Sequence, residues 1–284
     1  MRVERYRTLL EWQEFAAREV AALAAEAQLL HDLKLRMPVS GMPGRCPVCE
    51  APRNFMPPPG GMQPHTSFRE SLQCETCRSI SRHRAAVAVL QRELPDPQRA
   101  RVYITEQASM LFMALRKRMR RLVGSEFVRS FRKRRELSSW LHSQGCRSFV
   151  RFQDITALSF RRGSKDAVVS FDVLEHVPDY RQALREFARV LKPGGVLVMT
   201  VPFYVESASS ETIAFVRADG GVETFGDPEY HGDPVSHGVL CFHHMGWDLL
   251  AAMREAGFSE AEALRVSDIE QGIPEPLWLF RARR

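Results

Sequence analysis

The chain of 284 residues has no uninterrupted apolar run long enough to cross a bilayer. It shows no secretory signal either, because Glu and Arg interrupt the apolar positions from Arg2, Glu4 and Arg5 onward. Together these absences predict a cytoplasmic protein without a membrane span. A strong charge bias is also missing. The formal net charge of +6 favours an acidic partner, but the excess sits in a few arginine-rich places and does not establish nucleic-acid binding. A chain of this length holds one α/β domain plus a small appendage.

Among the six cysteines, four form two CxxC pairs, Cys46-Pro-Val-Cys49 and Cys74-Glu-Thr-Cys77. In a reducing compartment this spacing suggests metal ligation before disulfides. Each CxxC turn presents both sulfurs to one ion, and Zn²⁺ prefers tetrahedral sulfur. The pairs lie slightly farther apart than is usual, and the loop Pro57-Pro-Pro-Gly-Gly61 accommodates the excess. The pattern predicts a structural Zn²⁺ on Cys46, Cys49, Cys74 and Cys77, with four thiolates leaving no open position for catalysis. Reduced structural cysteines are the alternative. A redox pair is disfavoured, since no thioredoxin-like βαβ unit surrounds either CxxC. Next come Arg78-Ser-Ile-Ser-Arg-His-Arg84 and the helix Ala85–Leu94. These arginines could grip a phosphate or carboxylate, or pack along the cysteine module and meet acidic side chains of the main domain.

The clearest organising element is a βαβ unit. Ala167–Val173 and Val196–Val201 are short β-branched runs suited to strands buried on both faces. Between them Arg181–Leu191 carries apolar residues at helical spacing, and Lys192-Pro-Gly-Gly195 stops the helix. Ligands of open parallel sheets bind beyond the carboxyl ends of the strands, so Asp172 to His176 should border a pocket. Phe171-Asp-Val-Leu-Glu-His-Val-Pro-Asp179, Leu191-Lys-Pro-Gly-Gly195 and the strand ending Val201-Pro-Phe203 resemble the middle of a class I S-adenosylmethionine (SAM)-dependent methyltransferase of the type 11 kind. The resemblance covers about Arg101 to the C-terminus. Through the Ser79-x-x-Arg82-His-Arg84 run it extends more loosely over the cysteine module. It implies an α/β fold with a Rossmann-like seven-stranded sheet, mostly parallel with an antiparallel last strand, and direct methyl transfer from SAM.

In chain order, Met1 to about Met37 reads as one long amphipathic helix, packed on its own domain or serving as a homodimer contact. The expected organisation is residues 1–37 as this helix, 38–97 as zinc module and linker helix, and 98–284 as the methyltransferase domain. Arg101–Thr105 reads as the first strand and Ser109–Arg121 as the first helix. The loop between them is glycine-rich in most class I methyltransferases. Here it is Thr105-Glu-Gln-Ala-Ser109, which resembles a variant branch with Glu106 as the acid; weak donor binding or a pseudo-enzyme is the other implication. Glu126 ends the second strand, where this fold class reads a ribose, although a surface carboxylate would look the same. The basic run Arg129–Arg135 follows, and such runs are mostly solvated loops. Phe149–Asp154 reads as the third strand, and by resemblance Asp154 meets the adenine amino group while Ile155 covers the ring. Thr105, Phe171 and Asp172 complete the expected donor site.

Beyond Phe203 an irregular insertion is expected to form a lid or substrate wall. Within Pro228-Glu-Tyr-His-Gly-Asp-Pro234, His231 could act as a general base or staple the loop. His176 is the second catalytic candidate. Trp247–Ala256 reads as a helix, and Ala261–Val266 with Leu277–Arg283 as a closing antiparallel hairpin. No Asn/Asp-Pro-Pro-Tyr/Phe run is present, which argues against amino methylation. The cysteines lie outside the expected pocket, which argues against cysteine-assisted C5 methylation. O-methylation of a small-molecule or glycan-like acceptor is left, with a zinc-bearing nucleic-acid methyltransferase and a non-catalytic binding module as alternatives.

Overall fold

The computed structural model describes residues 1–232 and 238–284. Seven strands form the main sheet: β1 (Arg2–Tyr6), β2 (Val102–Ile104), β3 (Val123–Gly124), β4 (Lys165–Phe171), β5 (Leu191–Thr200), β6 (Glu260–Asp268) and β7 (Ile273–Arg283). Their spatial order is β1-β6-β7-β5-β4-β2-β3. The block from β3 to β5 is parallel, whereas β7 runs antiparallel to both β5 and β6. This is the Rossmann-like arrangement with an antiparallel last strand. Val168, Leu197, Val198 and Met199 are buried, as expected of central strands covered on both faces.

The amino end departs from the expected single helix. Residues 2–6 instead add β1 to the sheet edge, antiparallel to β6, with Arg2 opposite Ser267 and Tyr6 opposite Ala263. Helices α1 (Leu9–Arg18) and α2 (Val20–Arg36) follow. Thr8 caps α1 by accepting from the Glu11 N–H. The apolar stripe explains the docking: Tyr6, Trp12, Phe15 and Trp278 of β7 form one aromatic cluster, with neighbouring ring centroids 5.1–5.8 Å apart. Beyond this point the helix is poorly anchored, for α2 has no fully buried side chain.

The third expected strand is also different. Phe149–Asp154 makes only one parallel bridge, between Phe152 and Glu126. Apart from backbone bonds to Glu126, side chains serve its backbone groups. Buried Gln107 donates to the Phe149 carbonyl and accepts from the Arg151 N–H, both at 2.9 Å, and Ser138 accepts from the Val150 N–H. The main sheet therefore reaches seven strands through β1. The Lys192-Pro-Gly-Gly195 turn is drawn into β5, which begins at Leu191. In the region after Phe203, short antiparallel pairs replace the expected irregular chain: Ala214–Val216 with Val222–Thr224, Tyr230–His231 with Val239–Leu240, and His243–His244 with Glu211–Thr212.

The cysteine module is a small sheet, Met42–Cys46, Ala51–Met56 and Gln73–Cys74, joined to α3 (Phe68–Ser71) and α4 (Ser81–Glu93). One apolar core runs from Cys46, Phe55, Phe68 and Leu72 through α4 into Val102, Val196 and Leu279. At that seam Arg84 is fully buried. It donates to the carbonyls of Leu72 (3.0 Å), Gln271 (3.1 Å), Gly272 (2.6 Å) and Ser79, and lies 4.4 Å from the Phe55 ring centroid. A buried guanidinium so supplied is a staple between module and sheet.

Candidate active site

The loop after β2 is held by Glu126. One carboxylate oxygen, Oε1, accepts from the N–H groups of Gln107 (2.7 Å) and Ala108 (2.6 Å). The loop has no glycine, but its neighbour does. A Cβ on Gly124 of β3 would stand 2.8 Å from the Glu106 carbonyl oxygen and 2.9 Å from both Gln107 Cβ and the Phe112 ring. Glycine at this position is what lets the Glu106–Gln107 backbone pack closely against β3. Glu106 accepts from Ser109 Oγ at 2.8 Å, and burial pushes its carboxyl above the usual carboxylate range. Backbone bonds between Glu126 and residues 151 and 153 bring Asp154 beside it. There Asp154 Oδ1 caps Thr156 and Ile155 is buried.

Asp172 stands just beyond β4 with φ of 47°, a left-handed conformation uncommon for a non-glycine residue. Two arginines of the cysteine module hold it. Arg69 Nη2 lies 2.8 Å from both carboxylate oxygens, and Arg82 Nε lies 3.4 Å from Oδ2. Burial would raise this carboxyl, but Arg82 and Arg69 outweigh it and hold the group below the usual range. Arg82 also meets Glu70 at 2.9 Å. The histidine of the motif, His83, packs on Phe171 with ring centroids 5.2 Å apart. Burial holds it well below the ordinary imidazole value, and Arg82 and Arg84 add to the effect. Arg82 and Arg84 thus have partners within the chain, one at the sheet end and one in the core; Arg78 is exposed.

A second polar cluster begins three residues further on. Glu175 has a side chain that is 0% exposed, and neither oxygen has a hydrogen bond among the described residues. His176 Nε2 faces it at 3.7 Å and His231 Nδ1 at 3.8 Å. The far nitrogens of both rings are anchored. His176 Nδ1 lies 2.8 Å from the Leu240 carbonyl oxygen, and His231 Nε2 lies 2.8 Å from Glu229 Oε1. Glu229 Oε2 in turn meets His244 Nε2 at 2.8 Å. The facing Glu175 carboxylate is the main cause that pushes the His231 imidazole up to about 9, against its partial burial and with help from Glu229. Burial raises Glu175. The motif residues Asp233 and Pro234 lie outside the described residues.

Cys46, Cys49, Cys74 and Cys77 converge, with Sγ–Sγ separations of 3.7 Å (Cys46–Cys77) and 3.8 Å (Cys49–Cys74). A tetrahedral ion with Zn–S bonds of about 2.3 Å requires sulfur–sulfur edges of roughly 3.8 Å, so the four thiols fit such an ion.

Several of these groups escaped the sequence reading. Arg69 lies in a segment without a pattern and gave no signal. Glu229 could have been found, because it stands two residues before His231 in the same motif, and the two side chains pair at 2.8 Å.

The sheet order is Rossmann-like, and the family described as "Methyltransferase domain" matches residues 108–199. The chain is 34% identical over 121 residues to the ubiquinone biosynthesis O-methyltransferase of Xanthomonas oryzae pv. oryzae, covering 43% of this chain and 44% of that protein. It is 32% identical over 103 residues to the sterol 24-C-methyltransferase of Aspergillus fumigatus, covering 36% and 27%. The chain thus spans less than half the length of these curated relatives. Similar solved structures include a SAM-dependent methyltransferase from Mesorhizobium loti (TM-score 0.46, 19% identity, 70% of this chain and 98% of that one). Another is the Burkholderia thailandensis 1,6-didemethyltoxoflavin-N1-methyltransferase with bound S-adenosylhomocysteine (TM-score 0.42, 18% identity, 71% and 77%). No described helix is long and apolar enough to cross a membrane.

Proposed function

We propose that this chain is an active SAM-dependent methyltransferase that methylates an oxygen of a small-molecule or glycan-like acceptor, with a structural zinc ion on its four clustered cysteines. The observation that carries the donor assignment is the convergence of Glu106, Glu126, Asp154 and Asp172 at the carboxyl end of one parallel sheet, inside or beside the matched segment. These residues suit the donor's parts. Glu126 stands where a ribose is read and Asp154 with Ile155 where an adenine would lie. Glu106 and Asp172 together with Arg69 and Arg82 offer both signs of charge to an amino-acid zwitterion. Bound SAM supplies a methyl group already activated on a sulfonium, so the protein's task is alignment, water exclusion and removal of the acceptor proton.

The oxygen acceptor draws support from the printed name of the ubiquinone relative and from the Glu175–His176–His231 cluster, which lies just past Asp172. A phosphate track for nucleic acid loses support, because Arg84 is buried and bound to backbone carbonyls in the core. Calorimetric titration with S-adenosylhomocysteine tests the donor site: micromolar binding is expected, weakened about tenfold or more by Asp154→Ala. Absence of binding by the wild-type chain would overturn the reading in favour of a non-catalytic module.

A further inference from the structure

We propose that Glu175, His176 and His231 bind one divalent transition-metal ion at the lip of the donor pocket. We assign this ion the task of holding the acceptor's hydroxyl oxygen. The metal site stands on the geometry alone; its catalytic role rests on the methyltransferase reading.

Three features point to an ion. One carboxylate oxygen and two ring nitrogens lie within 4.8 Å of one another. The separations of 3.7 and 3.8 Å from Glu175 to the two imidazoles are too long for hydrogen bonds. They approach the roughly 3.4 Å edges of a tetrahedron with metal–ligand bonds of about 2.1 Å. The second feature is Glu175 itself. A wholly buried carboxylate whose two imidazole neighbours stand at 3.7 and 3.8 Å, beyond hydrogen-bond reach, gains further from a cation bound between them. The third is the outer ring of partners. His176 Nδ1 donates to the Leu240 carbonyl, which turns its Nε2 inward toward Glu175. Glu229 takes the outer nitrogen of His231 and is itself braced by His244. Carboxylate or carbonyl anchoring of the outer nitrogen is how metal-bound imidazoles are oriented. Cys241, near the same group, turns its thiol to the His243 carbonyl oxygen at 3.4 Å and serves as no inward ligand.

Two imidazoles and one carboxylate suit a borderline divalent ion, and three protein ligands leave positions open for oxygen. With the acceptor's hydroxyl in such a position, its O–H proton passes to solvent water. The oxygen lone pair then forms the new C–O bond as the methyl–sulfur bond breaks, and the sulfonium becomes a neutral thioether. This arrangement does without His231 as a base.

The test is titration of the full, zinc-loaded chain with Mn²⁺, followed by the loss of the free-ion electron paramagnetic resonance signal. Mn²⁺ has little affinity for thiolates, so the cysteine cluster stays silent. About one Mn²⁺ per chain is expected. Affinity should fall more than about tenfold in Glu175→Gln and in His176→Ala, and about tenfold in Glu229→Gln, which removes only the outer partner. His142→Ala, on the exposed face of a distant helix, should bind as the wild type does. Circular dichroism and S-adenosylhomocysteine titration of each variant report folding. No Mn²⁺ binding by the wild type, or undiminished binding by folded Glu175→Gln and His176→Ala, overturns the metal site. Donor binding without Mn²⁺ binding leaves the methyltransferase reading standing alone, and Mn²⁺ binding without donor binding does the reverse.

Discussion

The two clusters of potential metal ligands are built in opposite ways. The cysteines sit on two tight turns of one small module, fill all four positions of a tetrahedron, and adjoin a core whose arginine staple has every contact it needs. The Glu175 cluster draws on residues more than fifty positions apart, offers three ligands, and leaves a buried carboxylate without a hydrogen bond among the described residues. Closed, satisfied polar groups contribute to stability, whereas open and unsatisfied ones give up stability for chemistry.

That contrast can be broken most forcefully at a cysteine. A structural zinc contributes about 10–16 kcal/mol of binding free energy to such modules. Cys46→Ser should lower zinc content by about one ion per chain and unfold the module, read by metal analysis and thermal melting. Retained zinc with an unchanged melt would remove the structural role. Arg84→Met should cost about 3–5 kcal/mol in urea unfolding, because it strands several buried carbonyls at once. Asp172→Asn should cost about 1–3 kcal/mol at pH 7 by leaving Arg69 and Arg82 without their anion.

The pH dependence of the Asp172 effect has a definite sign. The Asp172 carboxyl is held below its unfolded value of 3.8 by the two arginines, against burial. Its contribution is therefore fully present above that value and is lost as pH falls through the lower folded value. The stability gap between wild type and Asp172→Asn should stay constant from pH 7 to about 5 and narrow below about 4; a gap that widens on acidification would contradict the ion-pair assignment. Gly124→Ala should cost about 1–3 kcal/mol through contact with the Glu106 backbone, and should weaken S-adenosylhomocysteine binding. The smallest effect is expected at Glu175. Without added metal, Glu175→Gln should change stability by about 1 kcal/mol or less, because the burial cost of the charge it removes offsets that charge's attraction for His231. A loss as large as that of Arg84→Met would erase the contrast between the clusters.

The central βαβ unit was legible because strands buried on both faces read as apolar runs, and because proline and glycine mark the ends of the helix. The cysteine cluster was legible from spacing. Strand β1 was not: Arg2, Glu4 and Arg5 give it no alternation, and what makes it a strand is a distant partner. Phe149–Asp154 failed for the converse reason, since its apolar pattern promised a ladder that Gln107 and Ser138 supply from their side chains. Candidate site residues next to the strand ends could be placed from sequence. Their partners could not, because Arg69 meets Asp172 only after the module folds against the sheet.

Strand β1 also sets an order of events during synthesis. Its partner, Ala263–Ser267, belongs to the last hairpin of the sheet. At a ribosomal rate of about 5–20 residues per second, the amino-terminal strand waits roughly ten seconds to a minute before that partner exists. Loop closure over so long a separation comes late in folding. Until then, the row of unpaired amide and carbonyl groups on β1 is open to other chains, and the nascent protein depends on Arg2, Glu4 and Arg5 to keep such pairings weak.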